Sequence, residues 1–234
     1  MRKVTEGVYV FGFQAGFMNF YAVDSPDGLI MVDTGLGDTM MQSALSQLAQ
    51  HGRSVSDIRH IVITHAHYDH CGGLNYLQKQ VNARTYCHPH ETLIVRGEQQ
   101  AIMPAPESLG FPWRQAARAM TANMPTAAPG RVDAEISEGA ELPGGWRVIG
   151  FPGHARGQIG LWNADTRVLI GGDVMIHFPW GLGLPVRPAT PDMDEAKRSI
   201  HKAGTLGIET LCLGHGRPIK SGAHDQIQRF ADRL

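Results

Sequence analysis

Short β-branched and aromatic runs, broken by glycine- and proline-bearing turns, dominate the first third of the chain. Residues 8–13, 17–23 and 29–33 each read as a strand, and Pro26, Asp27 and Gly28 supply a turn that makes the second and third a hairpin. Asp33, Thr34 and Gly35 end a strand and open a loop. From Asp38 to about His51 the pattern changes, with Met41, Leu45 and Leu48 on one face of a helix. Strands at 60–64 and 83–88 alternate with helices at 74–79 and 90–96. The second half repeats the theme with strands at 131–136, 146–151, 158–163 and 167–171 and a turn at 164–166. It continues with a helix at 192–204, a strand at 210–213 and a helix at 223–234 that carries Ile227, Phe230 and Leu234 on one side. Strands followed by helices, twice over, predict two sheets face to face with helices outside.

Residues 97–131 do not fit either period. They are apolar but punctuated by proline and glycine, with a helix expected at 114–122. A connection of this length inside a compact domain is usually functional or disordered, and Met103, Leu109, Phe111, Trp113, Met120 and Met124 argue against disorder. Methionine and tryptophan at such spacing suit an adaptable apolar wall. The segment reads as a lid over a cleft, together with 178–184, or equally as a dimer interface or outer helix.

Composition narrows the function classes. The chain of 234 residues carries 21 basic against 22 acidic side chains, so no basic field is available to hold a nucleic-acid backbone. It is expected to form a single domain spanning 1–234. Three widely spaced cysteines, Cys71, Cys87 and Cys212, form no CxxC pair and fit a reducing compartment. The N-terminus lacks a signal-peptide core, and the most apolar long stretch, 168–186, contains Asp173, His177, two prolines and several glycines. A cytoplasmic protein without membrane or nucleic-acid partners, acting on a small molecule and compatible with a homodimer, is the expectation.

Candidate chemistry concentrates at 61–73, where a short apolar run breaks into His65, His67, Asp69 and His70 and then Gly72 and Gly73. Buried together, three imidazoles and a carboxylate would need many partners, and the set suits zinc, manganese or iron better than calcium. Its place at the carboxyl end of a strand is where layered α/β folds bind ligands. His154, Asp173 and His215 stand at strand ends in the second half, each flanked by glycine, so the backbone can bend and leave the side chain projecting into a shared cleft.

His65-x-His67-x-Asp69-His70, followed by His154, Asp173 and His215, resembles the metallo-β-lactamase-fold hydrolase superfamily over nearly the whole chain. The resemblance implies an α/β fold, a four-layer αββα sandwich, with metals at one edge of the sheets. It also implies two divalent ions, zinc by default with iron, manganese or cobalt as alternatives. His65, His67 and His154 would hold one ion; Asp69, His70 and His215 would hold the other; Asp173 would bridge. Two close ions generate a hydroxide nucleophile near neutral pH, which gives Asp69 and Asp173 a catalytic part. Asp33 and Thr64 are candidates to orient ligands without binding metal, or simply to cap a strand end.

Among members of the superfamily, β-lactamases typically lack a bridging aspartate, so Asp173 points elsewhere. Glyoxalase-II-type thioesterases have a longer C-terminal region than the 19 residues that follow His215 here. Acyl-homoserine lactonases match in metal set and length, but many carry a tyrosine three residues after the bridging aspartate, where this chain has Ile176 and then His177. The expected activity is hydrolysis of an ester, lactone or thioester of a small lipophilic substrate. Alternatives are a mononuclear-iron persulfide dioxygenase, a β-lactam or phosphodiester hydrolase, and a non-enzymatic metal-binding module. Tyr68, His177, Phe111, Trp113 and Trp180 are the candidate substrate contacts, although Tyr68 at such a place more often packs and His177 more often faces solvent.

Overall fold

The computed structural model describes residues 1–13, 17–123 and 125–234, so Met124 lies outside the described residues. Seven strands form one sheet in sequence order: β1 (Arg2–Thr5), β2 (Val8–Phe13), β3 (Met18–Ser25), β4 (Gly28–Val32), β5 (Ile58–Val62), β6 (Arg84–Cys87) and β7 (Ala134–Glu135). The first four pair antiparallel and the last four parallel, with β4 common to both runs. The second sheet uses β8 (Glu141–Leu142), β9 (Trp146–Gly150), β10 (Ile159–Asn163), β11 (Val168–Ile170) and β14 (Thr210–Cys212), in the order β14-β11-β10-β9-β8. A separate hairpin pairs β12 (Ile176–Phe178) with β13 (Gly181–Gly183).

Three apolar layers hold these elements together. Along β4, Leu29 and Met31 join one layer while Ile30 and Val32 join another, the alternation a strand buried on both faces must show. The middle layer lies between the sheets, where Val10, Tyr21, Val23 and Ile30 meet Trp146, Val148, Leu161 and Ile170. Outside the first sheet, α1 (Asp38–Gln50), α3 (Leu74–Gln80) and α4 (Pro89–Val95) contribute Met41, Leu48, Leu77 and Val95. Outside the second, α6 (Met193–Gly204) and α7 (Ala223–Ala231) contribute Ile200, Ala203, Ile227 and Phe230 against Phe151, Leu169 and Leu211. Helix, sheet, sheet, helix is the αββα order expected from the sequence.

Local chemistry explains the element ends. Ser25 Oγ donates to the Gly28 carbonyl at 2.8 Å, closing the β3–β4 turn. Gly28 has φ +139°, and a Cβ there would strike the backbone of Asp57. Asp192 caps α6, its carboxylate accepting from the Glu195 amide at 2.9 Å.

The structure differs from the sequence reading at the edges. The strand expected over 131–136 shrinks to Ala134–Glu135, because the Asp133 carboxylate takes the Thr85 amide at 2.9 Å in place of a ladder partner. β1 and the β12–β13 hairpin were not expected. The former is a largely exposed edge with no clean alternation, and the latter is interrupted by Pro179 and Trp180. In the 97–131 segment, α5 (Trp113–Asn123) buries Ala117 and packs against the turn at Arg187–Ala189. No helix among the described residues is long and apolar enough to cross a membrane.

Candidate metal centre

The carboxyl end of β5 leads directly into the ligand loop. His65, His67 and His70 are buried, with α2 (Tyr68–Cys71) turning Asp69 and His70 back toward the cleft. Across it, the loops after β9, β11 and β14 present His154, Asp173 and His215. The donor atoms fall into three compact groups: His65 with His67 and His154, His65 with His70 and Asp173, and Asp69 with His70 and His215. Asp173 faces all sides at once. Its Oδ1 is 3.4 Å from His70 Nε2, and its Oδ2 is 3.5 Å from His154 Nε2 and 3.1 Å from His215 Nε2. All seven sequence-predicted ligands are therefore brought into one cluster.

Hydrogen bonds behind the cluster fix which nitrogen four of the five imidazoles offer. Asp33 Oδ2 accepts the proton of His70 Nδ1 at 2.8 Å, while Thr64 donates its amide to Asp33 Oδ1 (2.7 Å) and its hydroxyl to Oδ2 (2.8 Å). With its own proton engaged, Thr64 Oγ1 accepts from His65 Nδ1 at 3.1 Å. Thr190 does the same for His154 Nδ1 at 3.0 Å, its hydroxyl proton going to the Val186 carbonyl. His215 Nδ1 donates to the Phe17 carbonyl at 2.6 Å. In His65 and His154 the Nε2 lone pair is thus left facing the cluster, and in His70 and His215 Nε2 is likewise the atom that faces it and would bind a metal once its proton is displaced. Asp33 achieves its aim from the left-handed region, at φ +63°, which aspartate tolerates better than most residues.

Whether the residues fit metal ions can be read from the unpaired atoms. His70 Nε2, His154 Nε2 and Asp173 Oδ1 are buried without any hydrogen-bond partner. Orphaned buried polar atoms are costly, and three of them within one cluster of ligand-type side chains are what cations satisfy. The donor set, imidazole with carboxylate, suits zinc or iron. Electrostatics divide the cluster. Burial pushes His65 well below its ordinary value, His67 down to about 4 and His154 down to about 3, so these three are neutral. Burial also opposes charge on His70 and His215, but Asp173 with Asp33 and Asp69 outweighs it: His70 is held well above its ordinary value and His215 is pushed up to about 10. Burial likewise works against the charged Asp69 and Asp173, and the neighbouring imidazoles prevail, holding both carboxyls low.

A model of the Metallo-beta-lactamase superfamily matches residues 14–215. The chain belongs to this superfamily. A relative in Bacillus subtilis (strain 168), described as the probable metallo-hydrolase YflN, is 27% identical, over 99% of this chain and 92% of the relative. Among solved structures, the subclass B3 metallo-beta-lactamase BJP-1 of Bradyrhizobium japonicum superposes with a TM-score of 0.70 at 20% identity, covering 100% of this chain and 89% of that one. A di-iron-bound form of TTHA1623 gives 0.63 at 22% identity, covering 90% and 93%. These likenesses establish the metallo-β-lactamase fold, and with the family match they make the chain a metal-dependent hydrolase.

Above the cluster lies a cavity of about 860 Å³ with a mainly apolar wall: Phe17, Met103, Met120, Ile176, Phe178 and Val186. The sequence-predicted substrate contacts divide here. His177 lines the cavity, its Nδ1 donating to the Arg217 carbonyl at 2.6 Å. Tyr68 does not; it lines a second cavity with Gly37 and Met40. Phe111 and Trp180 are more than four-fifths exposed, and Trp113 also faces outward, so none of the three lines the wall. Their place is taken by Met103 and Met120 from the same segment. The sequence reading missed three further residues: Thr190 behind His154, Asn19, whose amide groups hold the Leu213 and Gly214 carbonyls beside His215, and the buried Glu91. Nothing in their local sequence marks them.

Proposed function

We propose that this member hydrolyses an ester, lactone or thioester with an apolar acyl part. The observation that supports it best is Asp173, whose two oxygens face imidazoles of both ligand groups at the floor of an apolar cavity. His65, His67 and His154 would hold one ion, Asp69, His70 and His215 a second, with Asp173 shared. When bound, the pair supplies a hydroxide nucleophile at neutral pH and Lewis-acid polarisation of the scissile carbonyl.

The chain's own residues do the rest. Met103, Met120 and Val186 exclude water and accept the acyl chain, and methionine adapts its shape to it. His177, with its Nδ1 proton committed to the Arg217 carbonyl, offers a polar edge at the wall. Arg217 is the only lysine or arginine among the described lining residues, and its side chain has no carboxylate partner among them. It orients the polar end of the substrate toward the rim. The 97–131 segment acts as the lid, since it contributes Met103 and Met120 to the wall.

The test is metal content and hydrolysis on one sample, using lactones, thioesters, aryl esters, phosphodiesters and β-lactams of matched chain length. The expected result is about two zinc or iron ions per chain and highest kcat/KM on a carboxylic ester, lactone or thioester. Highest turnover on β-lactams or phosphodiesters, or one iron with oxygen uptake on a persulfide, would replace this reading.

A further inference from the structure

Glu91 sits in the first turn of α4 and is almost fully buried, yet its carboxylate hydrogen-bonds to no metal-binding side chain among the described residues. Its two oxygens reach in two directions. Oε2 accepts the amide of Ala66 at 2.9 Å, the residue between His65 and His67. Oε1 accepts the amide of Gly157 at 2.8 Å, three residues after His154. One carboxylate thereby joins the two loops, 25 and 66 residues away in sequence, that carry His65, His67 and His154. Gly157 is needed for the approach, because a Cβ there would stand 2.8 Å from Glu91 Cγ and 2.7 Å from His88 Nδ1.

We infer that Glu91 is the positioning residue for the ion held by His65, His67 and His154, acting through the backbone of both loops. Three considerations lead there. A buried carboxylate without a cation beside it is expensive, and Glu91 makes no ion pair among the described residues. Its compensation is two backbone N–H groups, which a carboxylate binds more strongly than a neutral acceptor does. Three imidazoles bring no negative charge of their own to an ion, which therefore gains from a carboxylate one layer out, relayed by the polarised peptides at Ala66 and Gly157. The other group, Asp69, His70 and His215, has no link to Glu91 and is braced separately by Asp33 and the Phe17 carbonyl.

The inference concerns metal binding, so its test does not depend on the substrate. Zinc is titrated into metal-free wild type and Glu91→Gln in competition with a chromophoric chelator, while imidazole nitrogen resonances report which histidines engage. Glutamine keeps the reach but sets an NH2 group against one of the two backbone amides and removes the charge. The expected result is a 10- to 100-fold weaker site at His65, His67 and His154, in the range seen for outer partners of metal ligands. The site at Asp69, His70 and His215 should change by less than about threefold. Wild-type affinity at the three-imidazole site, or equal weakening at both sites, overturns the inference. If Glu91→Gln does not fold, Glu91→Asp, which keeps the charge but is too short to span both amides, must show the same selective loss. Unchanged affinities in Glu91→Asp would overturn the inference equally.

Discussion

Asp33→Asn is the substitution that probes the metal cluster with the least disturbance of shape. The carboxylate accepts three hydrogen bonds, from the Thr64 amide (2.7 Å), the Thr64 hydroxyl (2.8 Å) and His70 Nδ1 (2.8 Å). An amide cannot accept all three. If its oxygen keeps the Thr64 amide, its NH2 faces the Thr64 hydroxyl, which can turn its proton away, and His70 Nδ1, which cannot. Relief then requires the neutral, metal-binding form of His70 to carry its proton on Nε2, the buried atom 3.4 Å from Asp173 that makes no hydrogen bond. A protonated Nε2 has no lone pair for a metal. If the amide is flipped, its NH2 opposes the Thr64 amide proton and the same conflict moves to the backbone.

The cost follows from the type of bond lost. A hydrogen bond to a charged group contributes about 1.5–3 kcal/mol, and loss of an outer partner of a ligand typically weakens metal binding 10- to 100-fold. Chelator competition should therefore show the ion at Asp69, His70 and His215 weakened by that factor, and the three-imidazole site weakened less, through the Thr64 hydroxyl that meets His65 Nδ1. At about 2–4 °C per kcal/mol for a chain of this size, the metal-free Tm should fall by roughly 3–12 °C. Wild-type affinity for both ions in a folded Asp33→Asn protein would refute the tautomer argument, because His70 would then present Nε2 without Asp33 to dictate it.

Three other outcomes are expected. Gly214→Ala places a Cβ well inside contact distance of the Asp173 carboxylate and 2.6 Å from His70 Cε1; crowding of this kind costs about 1–3 kcal/mol, and metal analysis should show fewer ions per chain than wild type, with activity reduced in step. His215 in the metal-free protein is pushed up to about 10, so its share of stability is complete below about pH 6.5 and is lost as pH rises toward 10; the stability of chelator-treated protein against denaturant should fall over that window, and zinc titration at pH 6.5 should release at least about one proton per chain, less than one arguing against a charged His215. Arg217→Gln should lower kcat/KM about tenfold for esters with an anionic end while leaving neutral esters of equal length near wild type, and equal losses on both would remove Arg217 from substrate orientation.

What the sequence disclosed depended on how local the signal was. His65, His67, Asp69 and His70 are dense enough to be recognised within six residues, and the glycines around His154, Asp173 and His215 mark places where the backbone turns to expose a side chain. The sandwich was legible because residues such as Leu29 to Val32 are apolar at every position, which only a strand covered on both faces requires. The aromatic residues misled for a complementary reason. In an irregular segment no period says which way a ring points, so Phe111 and Trp113 looked like substrate contacts but face outward, while Met103 and Met120 nearby line the wall. Glu91, Thr190 and Asn19 were invisible because each acts across a long stretch of chain on a backbone group or a ring nitrogen, with no motif of its own.

The centre is built on a seam, and that explains where its supports lie. The first half supplies His65, His67, Asp69 and His70, and the second supplies His154, Asp173 and His215, so neither half holds a complete set. The halves must be registered to a fraction of an ångström for the groups to converge, and a middle layer of apolar side chains, being non-directional, does not set distances that finely. Directional bonds across the seam do. The Ile159 amide donates to the Thr64 carbonyl at 2.9 Å, one residue before His65, and the Asn19 amide donates to the Gly214 carbonyl at 2.7 Å, one residue before His215. Glu91 adds the Ala66 and Gly157 pair. Each tie lies within three residues of a ligand, on the backbone rather than the ring. The imidazoles and Asp173 therefore remain free to bind ions, and the geometry is carried by atoms that take no part in the chemistry.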